Sequence, residues 1–286
     1  MRIGIGLPNT IAGAPGRLLV DWAGRAEQRG FSTLATIDRV AYPSYESLVT
    51  LAAAGAVTQG IGLLTNILLS QTRSPVLLAK EAASVDQLSG GRLTLGLGVG
   101  TRRDDFLATD RGFEDRGKRF EEDLEVMHGA WRGELVAGCP KPPTPRPVDE
   151  TIPILIGGTA DVVLERVVRW GTGWTAGGSG PDQVGPFAER VRRAWRDAGR
   201  EGSPLIVALS YFSLGEEAVE ASRASLLDYY AYLGEWAEGI ADATPRTPEA
   251  VRETARRFED AGVDELILDP TVADLEQVER LADAVL

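Results

Sequence analysis

The stretch RLTLGLGVGTRRDDF, residues 92–106, opens as a β-rich run and closes in a charged turn, Thr101-Arg102-Arg103-Asp104-Asp105. Glycines inside the run, Gly96 and Gly98, leave room for something to lie close against the backbone. Just upstream, QLSGG at residues 87–91 reads as the end of a helix followed by a glycine stop. The local order is therefore helix, turn, buried strand, charged loop, the rhythm of a parallel βα sheet.

The same rhythm extends in both directions. Before it, strand patterns occupy residues 2–8, 31–38 and 61–68; after it, residues 152–158, 173–178, 205–212 and 265–269. Between them lie helical patterns at residues 16–30, 45–58, 112–131, 161–170, 181–199, 216–262 and 273–286, with a further helix starting at Ser74-Pro75. Ser44 is placed to cap the helix at 45–58, and the pattern at 216–262 is interrupted near residues 244–248. Residues 133–151, with five prolines, read as an excursion rather than an element. Eight strands alternating with helices over one continuous length predict a single-domain (β/α)8 barrel spanning residues 1–286. An open doubly wound sheet is the alternative, but its first βα turn should carry a glycine fingerprint, and Leu7-Pro8-Asn9-Thr10 does not.

Composition narrows the chemistry. The 286 residues carry a formal net charge of −12, which argues against nucleic acid as a partner. One cysteine, Cys139, cannot form an internal disulfide, and no apolar run approaches the roughly 20 residues of a membrane span. With the first strand starting at Arg2, no export signal is expected, and the expectation is a cytoplasmic protein. The three lysines, Lys80, Lys118 and Lys141, all lie away from strand ends, which disfavours Schiff-base chemistry. A lone histidine, His128, within a helix and far from any strand end, is assigned to packing. No metal centre is expected. Reactive chemistry then falls to a bound cofactor.

In a (β/α)8 barrel the site lies at the C-terminal strand ends. The rim comprises Asn9, Asp38, Arg39, Asn66, Thr101 to Asp104, Gly157 to Thr159, Gly177 to Ser179, Tyr211, Phe212 and Asp269. At Gly157-Gly158-Thr159 a strand ends and a helix opens, so free amides and the helix dipole converge where a phosphate would be stabilised; Thr159 alternatively only caps the helix. Arg39, Arg102 and Arg103 either form an anion clamp or stand as solvated charges. Asp104 and Asp105 read as salt-bridge partners. Asn66 interrupts an apolar strand, which costs about 1–3 kcal/mol unless its amide is bonded, to backbone or to a ligand. Asp38 either caps its turn or receives a ligand N–H or hydroxyl. Tyr42, Trp174, Tyr211 and Phe212 are placed to line a pocket.

The combination of RIGIGLPN at residues 2–9, a second strand ending in Asp38, SGGRLTLGLGVG at residues 89–100 and ILIGGT followed by WGTGW resembles the luciferase-like flavin and deazaflavin oxidoreductases. The resemblance implies a barrel that binds reduced FMN or the deazaflavin F420 across its mouth. It places Gly157, Gly158 and Thr159 at the cofactor phosphate with Arg102 or Arg103, and a non-proline cis peptide at Asn66-Ile67. Asp38, Thr101, Asp104, Gly177 and Gly178 complete the expected cofactor contacts. No catalytic residue is assigned; Asp38, Arg39 and Tyr211 are the rim candidates. Arg39 stands where many F420-dependent members have histidine, and Thr101 where the sugar-phosphate dehydrogenases have glutamate. The resemblance also implies a homodimer, and a flavin reductase as source of reduced cofactor. The expected function is a reduced-FMN monooxygenase acting on a small organic substrate. Hydride transfer with F420 is the alternative, and a non-catalytic flavin-binding protein is the reading from another class.

Overall fold

A computed structural model describes residues 1–136 and 138–286. Eight parallel strands close into a barrel in chain order: β1 (Arg2–Gly6), β2 (Thr33–Thr36), β3 (Gly62–Leu69), β4 (Leu93–Gly98), β5 (Ile154–Gly157), β6 (Gly173–Thr175), β7 (Leu205–Phe212) and β8 (Glu265–Pro270). The predicted (β/α)8 architecture is therefore the observed one, and β1 pairs with β8 through Arg2↔Glu265 to Ile5↔Leu268. Predicted strands two and six are longer than those observed, because the ladder to the neighbouring strand ends at Thr36↔Thr65 and Thr175↔Val207.

Alternation along each strand sorts side chains between two cores. Leu34, Leu63, Ile154, Ile156, Ile206, Leu266 and Leu268 point outward and pack under the helices. Ala35, Leu64, Leu155, Val207 and Ile267 point inward and fill the barrel axis. The N-terminal end of the barrel is closed by Glu265, which accepts hydrogen bonds from the hydroxyls of Ser32 and Thr33, both at 2.6 Å, and pairs with Arg2 at 2.8 Å.

Three local expectations change. Ser44 does not cap the second helix: Ser47–Val57 starts later, and the Glu46 carboxylate accepts the Val49 amide at 2.7 Å, while the Ser44 hydroxyl donates to the Arg39 carbonyl. The helix predicted at 112–131 is Arg116–Arg132, with a short helix Arg103–Ala108 before it. The long helical region breaks into Val219–Tyr229, Trp236–Ala243 and Pro248–Asp260, and a 3-10 turn, Ala231–Leu233, lies in the first gap. That gap brings three tyrosines over the barrel mouth. In the excursion, the Val148 amide reaches Asp86 at 2.8 Å and Lys80 reaches the Thr144 carbonyl at 2.6 Å, tying the segment to helix Pro75–Ser89. Among the described residues, no helix is long and apolar enough to cross a membrane.

Candidate active site

The glycines of β4 accommodate a neighbouring strand. β3 shifts register between Thr65 and Leu68, with a cis peptide at Asn66-Ile67, and the bulge pushes Ile67 into the barrel mouth. A Cβ on Gly98 would lie 2.2 Å from Ile67 Cδ1, one on Gly157 3.1 Å from the same atom, and one on Gly96 2.1 Å from the Thr65 carbonyl oxygen. Ile67 thus rests on a floor made by glycines of β4 and β5. Above it opens a cavity of about 280 Å³, lined by Ile37, Asp38, Asn66, Ile67, Leu69, Thr101, Arg102, Asp105, Gly177, Gly178, Leu209, Tyr211, Tyr229, Tyr230 and Tyr232.

Of the rim candidates, Asp38, Asn66, Ile67, Thr101, Arg102, Gly177, Gly178 and Tyr211 meet at this cavity. Asn66 is buried; its Oδ1 accepts the Thr175 hydroxyl at 2.6 Å, and its Nδ2 has no partner. Asp38 is held by Arg73, at 2.7 and 3.0 Å, and also accepts the Leu69 amide at 2.9 Å. Its carboxylate therefore ties β2 to the end of β3.

The charged turn divides its residues between two tasks. Arg102 turns inward, its guanidinium 4.2 Å from the Tyr232 ring centre and 4.6 Å from that of Tyr229, distances at which cation–π attraction operates. Its Nε is buried without a partner. Arg103 begins the short helix and turns outward, pairing with exposed Glu114 at 2.8 Å, so it does not line the cavity. Arg39 and Asp104 pair at 2.7 Å, and Asp105 Oδ1 accepts the amides of Val40 and Ala41 at 2.8 and 2.7 Å. These contacts fix the loop after β2, and Arg39 is engaged in them rather than free to clamp an anion.

Gly157, Gly158 and Thr159 lie at the rim outside the cavity lining, with Gly158 and Thr159 exposed. Gly158 takes φ +108, a conformation that L side chains rarely adopt, and its carbonyl accepts the Trp174 indole at 2.7 Å. Trp174 is accordingly buried behind β6 against Phe187 and does not line the pocket; Phe212 is buried in the outer core. Tyr42 packs edge-on against Tyr229 and donates to Asp228 at 2.5 Å, standing behind the cavity wall. Asn9 ties the first loop to the Ile37 carbonyl at 2.7 Å.

Sequence reasoning missed Arg73, which grips Asp38 from the far side of β3, and the wall Tyr229, Tyr230 and Tyr232. The run DYYAY, residues 228–232, does carry a signal, since three tyrosines within one helical turn exceed what a core face needs. Tyr211 and Tyr230 share a hydrogen bond of 2.7 Å. Burial raises the hydroxyl pKa of both, and burial lifts Tyr229 to about 12, so these three hydroxyls are uncharged at neutral pH. Asp269, at the end of β8, lies under the mouth against Gly6; burial pushes its carboxyl well above the usual range, and its Oδ1 has no partner. Among the described residues no cluster suits a metal ion.

The luciferase-like monooxygenase family model matches residues 1–285 of this chain. An uncharacterized protein of Mycobacterium tuberculosis (strain ATCC 25618 / H37Rv) is 33% identical over 204 residues, covering 61% of this chain and 70% of that protein. An F420-dependent glucose-6-phosphate dehydrogenase of Gordonia bronchialis is 25% identical over 233 residues, covering 72% of this chain and 68% of that protein. The crystal structure of the monooxygenase RslO1 from Streptomyces bottropensis superposes with a TM-score of 0.82 at 22% identity, covering 99% of this chain and 97% of that one.

Proposed function

This chain belongs to the luciferase-like monooxygenase family, and we propose that within it the protein is an F420-dependent oxidoreductase that moves a hydride to or from a small organic substrate. The family's enzymes use a flavin or F420, and the residues present fit such a group. The orphaned Nδ2 of buried Asn66 is a donor for a ring oxygen, and Gly177 and Gly178 let a planar ring approach the backbone. The amides of Gly157 to Thr159, at the end of β5 with Gly158 and Thr159 exposed, suit its phosphate. When bound, the cofactor would supply or accept two electrons and a proton, together a hydride.

The chain's own residues do the rest. Ile67 and Asn66 would hold the group at the floor of the cavity, Arg102 would supply positive charge at the rim, and the tyrosine wall would keep water out. The observation that carries the choice of F420 is the hydroxyl-bearing wall of Tyr211 and Tyr230, which can move a proton in step with a hydride. The F420-dependent dehydrogenase relative supports the same choice.

A reduced-FMN monooxygenase is the second reading, favoured by the fold shared with RslO1. Equilibrium binding of FMN, reduced FMN and F420, followed by fluorescence and ultrafiltration, tests the proposal. Tight F420 binding with negligible FMN affinity supports it; preference for reduced FMN, with oxygen consumption on adding substrate, replaces it with the second reading.

The homodimer belongs to the same proposal. Val49, Leu77 and Leu88, on helices Ser47–Val57 and Pro75–Ser89, are 69%, 53% and 71% exposed around one groove. Lys80 borders that groove together with Glu46 and Glu81, so a second copy related by a two-fold axis would meet both apolar surface and opposite charge.

A further inference from the structure

Buried side-chain amides in this fold differ in how firmly they are held. Asn9 is pinned at both ends: its Nδ2 donates to the carbonyls of Ile37 and Tyr45, and its Oδ1 accepts the Ile37 amide. Gln277 is pinned likewise, donating from Nε2 to the Leu214 carbonyl and accepting the Leu214 amide at Oε1. Turning either amide over would set donor against donor and acceptor against acceptor. Gln71 is bonded at one end, but to the carboxylate of Asp123, which as an ion only accepts. Asn66 alone of the four has a free end at the cavity and a partner that works in either direction. Its Oδ1 accepts the Thr175 hydroxyl at 2.6 Å, and its Nδ2 has no partner. Among the described residues that hydroxyl has no other partner, and it comes from β6, which is not a neighbour of β3 in the closed sheet.

A hydroxyl both donates and accepts, and the two ends of an amide are nearly the same size. Turning the last torsion of Asn66 by half a turn therefore exchanges what the cavity meets. Nδ2 moves to Thr175, whose oxygen accepts it, and Oδ1 faces the cavity. Terminal torsions of this kind have a broad two-fold preference, so the two orientations are close in torsional energy. The reversed orientation takes the acceptor away from the Thr175 proton, so the free chain rests in the first. The balance tips when a ligand presents an N–H.

We propose that Asn66 and Thr175 form an amide toggle that follows the oxidation state of the bound cofactor. The toggle presupposes the cofactor reading above and names two positioning residues for it. Reduction of a flavin or F420 ring adds a hydride at the reacting atom and a proton at a ring nitrogen, so an acceptor beside the ring oxygen becomes a donor. With the oxidised ring, Asn66 gives its N–H₂ to that oxygen and takes the Thr175 hydroxyl at Oδ1. With the reduced ring, Oδ1 takes the new ring N–H and Nδ2 gives a hydrogen to Thr175. Both states are matched, so the cofactor stays held through a turnover.

The chain contains two asparagines, Asn9 and Asn66, so labelling asparagine alone with nitrogen-15 gives two side-chain amide signals, one of them an internal control. The full chain is loaded with F420 or FMN, and NMR spectra are taken oxidised and after anaerobic reduction. Nuclear Overhauser contacts from the Asn66 amide protons to the Thr175 side chain should strengthen on reduction, while Asn9 stays unchanged. In Thr175→Val the reduced-state amide proton, having lost its acceptor, should resonate upfield of its wild-type position, and Thr175→Ser should restore it. Asn66→Ala should weaken binding of the oxidised and reduced cofactor alike, each by about tenfold, the loss of one hydrogen bond. Contacts of equal strength in both oxidation states overturn the toggle and leave the cofactor reading standing. So does an Asn66→Ala variant whose ratio of oxidised to reduced dissociation constants changes tenfold, about 30 mV for a two-electron couple. A toggle seen with FMN in a chain that does not bind F420 supports the toggle and replaces the F420 reading with the second one. A chain that binds neither cofactor overturns both.

Discussion

The Asp38 carboxylate is gripped by Arg73 through two parallel hydrogen bonds, Nη1 to Oδ2 at 2.7 Å and Nη2 to Oδ1 at 3.0 Å, with the two side chains 1% and 14% exposed. This pair joins the end of β2 to the segment after β3 and so sets the wall from which Asn66 and Ile67 project. Removing one partner leaves a buried charge uncompensated, at a cost of about 3–5 kcal/mol. Arg73→Ala should lower unfolding stability by that amount in urea titrations. A loss under about 1 kcal/mol would mean that water reaches Asp38 freely.

Arg102 and Arg103 are neighbours in the chain with opposite surroundings, one over the tyrosine wall and the other paired with Glu114 in solvent. Arg102→Ala should weaken binding of F420 or FMN about tenfold or more, in line with the loss of a charge-assisted contact. Arg103→Ala should leave affinity unchanged and stability within about 1 kcal/mol. Equal effects of the two variants would show that the turn rearranges when the cofactor arrives.

Gly96 and Gly98 differ in what their missing side chains make room for. A methyl group on Gly96 meets the Thr65 carbonyl, which is backbone; one on Gly98 meets the end of the Ile67 side chain, which can swing. Gly96→Ala should cost at least the roughly 1–3 kcal/mol of an overpacked core, and Gly98→Ala less. Pairing Gly98→Ala with Ile67→Val should recover stability in a double-mutant cycle, whereas a purely additive result would show no contact between the two.

Burial raises the Asp269 carboxyl well above the usual range, so the folded chain keeps this proton at pH values where the unfolded chain has lost it. The unfolded state then binds fewer protons, and stability falls as pH rises above about 3.9, by up to about 1.4 kcal/mol per unit, until the folded group ionises. Asp269→Asn removes that slope. Urea titrations from about pH 4.5 to about pH 7.5 should show the variant gaining on the wild type with rising pH; parallel curves would mean that Asp269 ionises in the fold as it does in water.

If a second copy covers the groove between helices Ser47–Val57 and Pro75–Ser89, a charge placed there should separate the subunits. Leu77→Glu and Leu88→Glu together should convert a dimer to a monomer in sedimentation velocity while leaving the monomer folded by circular dichroism. A wild type that sediments as a monomer at micromolar concentration would refute the interface.

The sequence by itself determined the barrel and the order of its strands. Both follow from short-range patterning: apolar alternation at period two, helical spacing between the runs, and glycine stops such as Gly30 and Gly90 in the left-handed region. It also placed Asp38, Asn66, Arg102 and Tyr211 at one rim, because every strand of a parallel barrel ends on the same side. Only the tertiary structure decided which of these residues face one another. Asp38 finds Arg73, 35 positions away, and Tyr211 finds Tyr230 across a helix break that helical periodicity alone did not reveal. Arg102 and Arg103 part company because a helix begins between them and turns successive side chains to different sides. Such pairings depend on where barrel closure brings distant loops, and that is a property of the packed whole rather than of any local spacing.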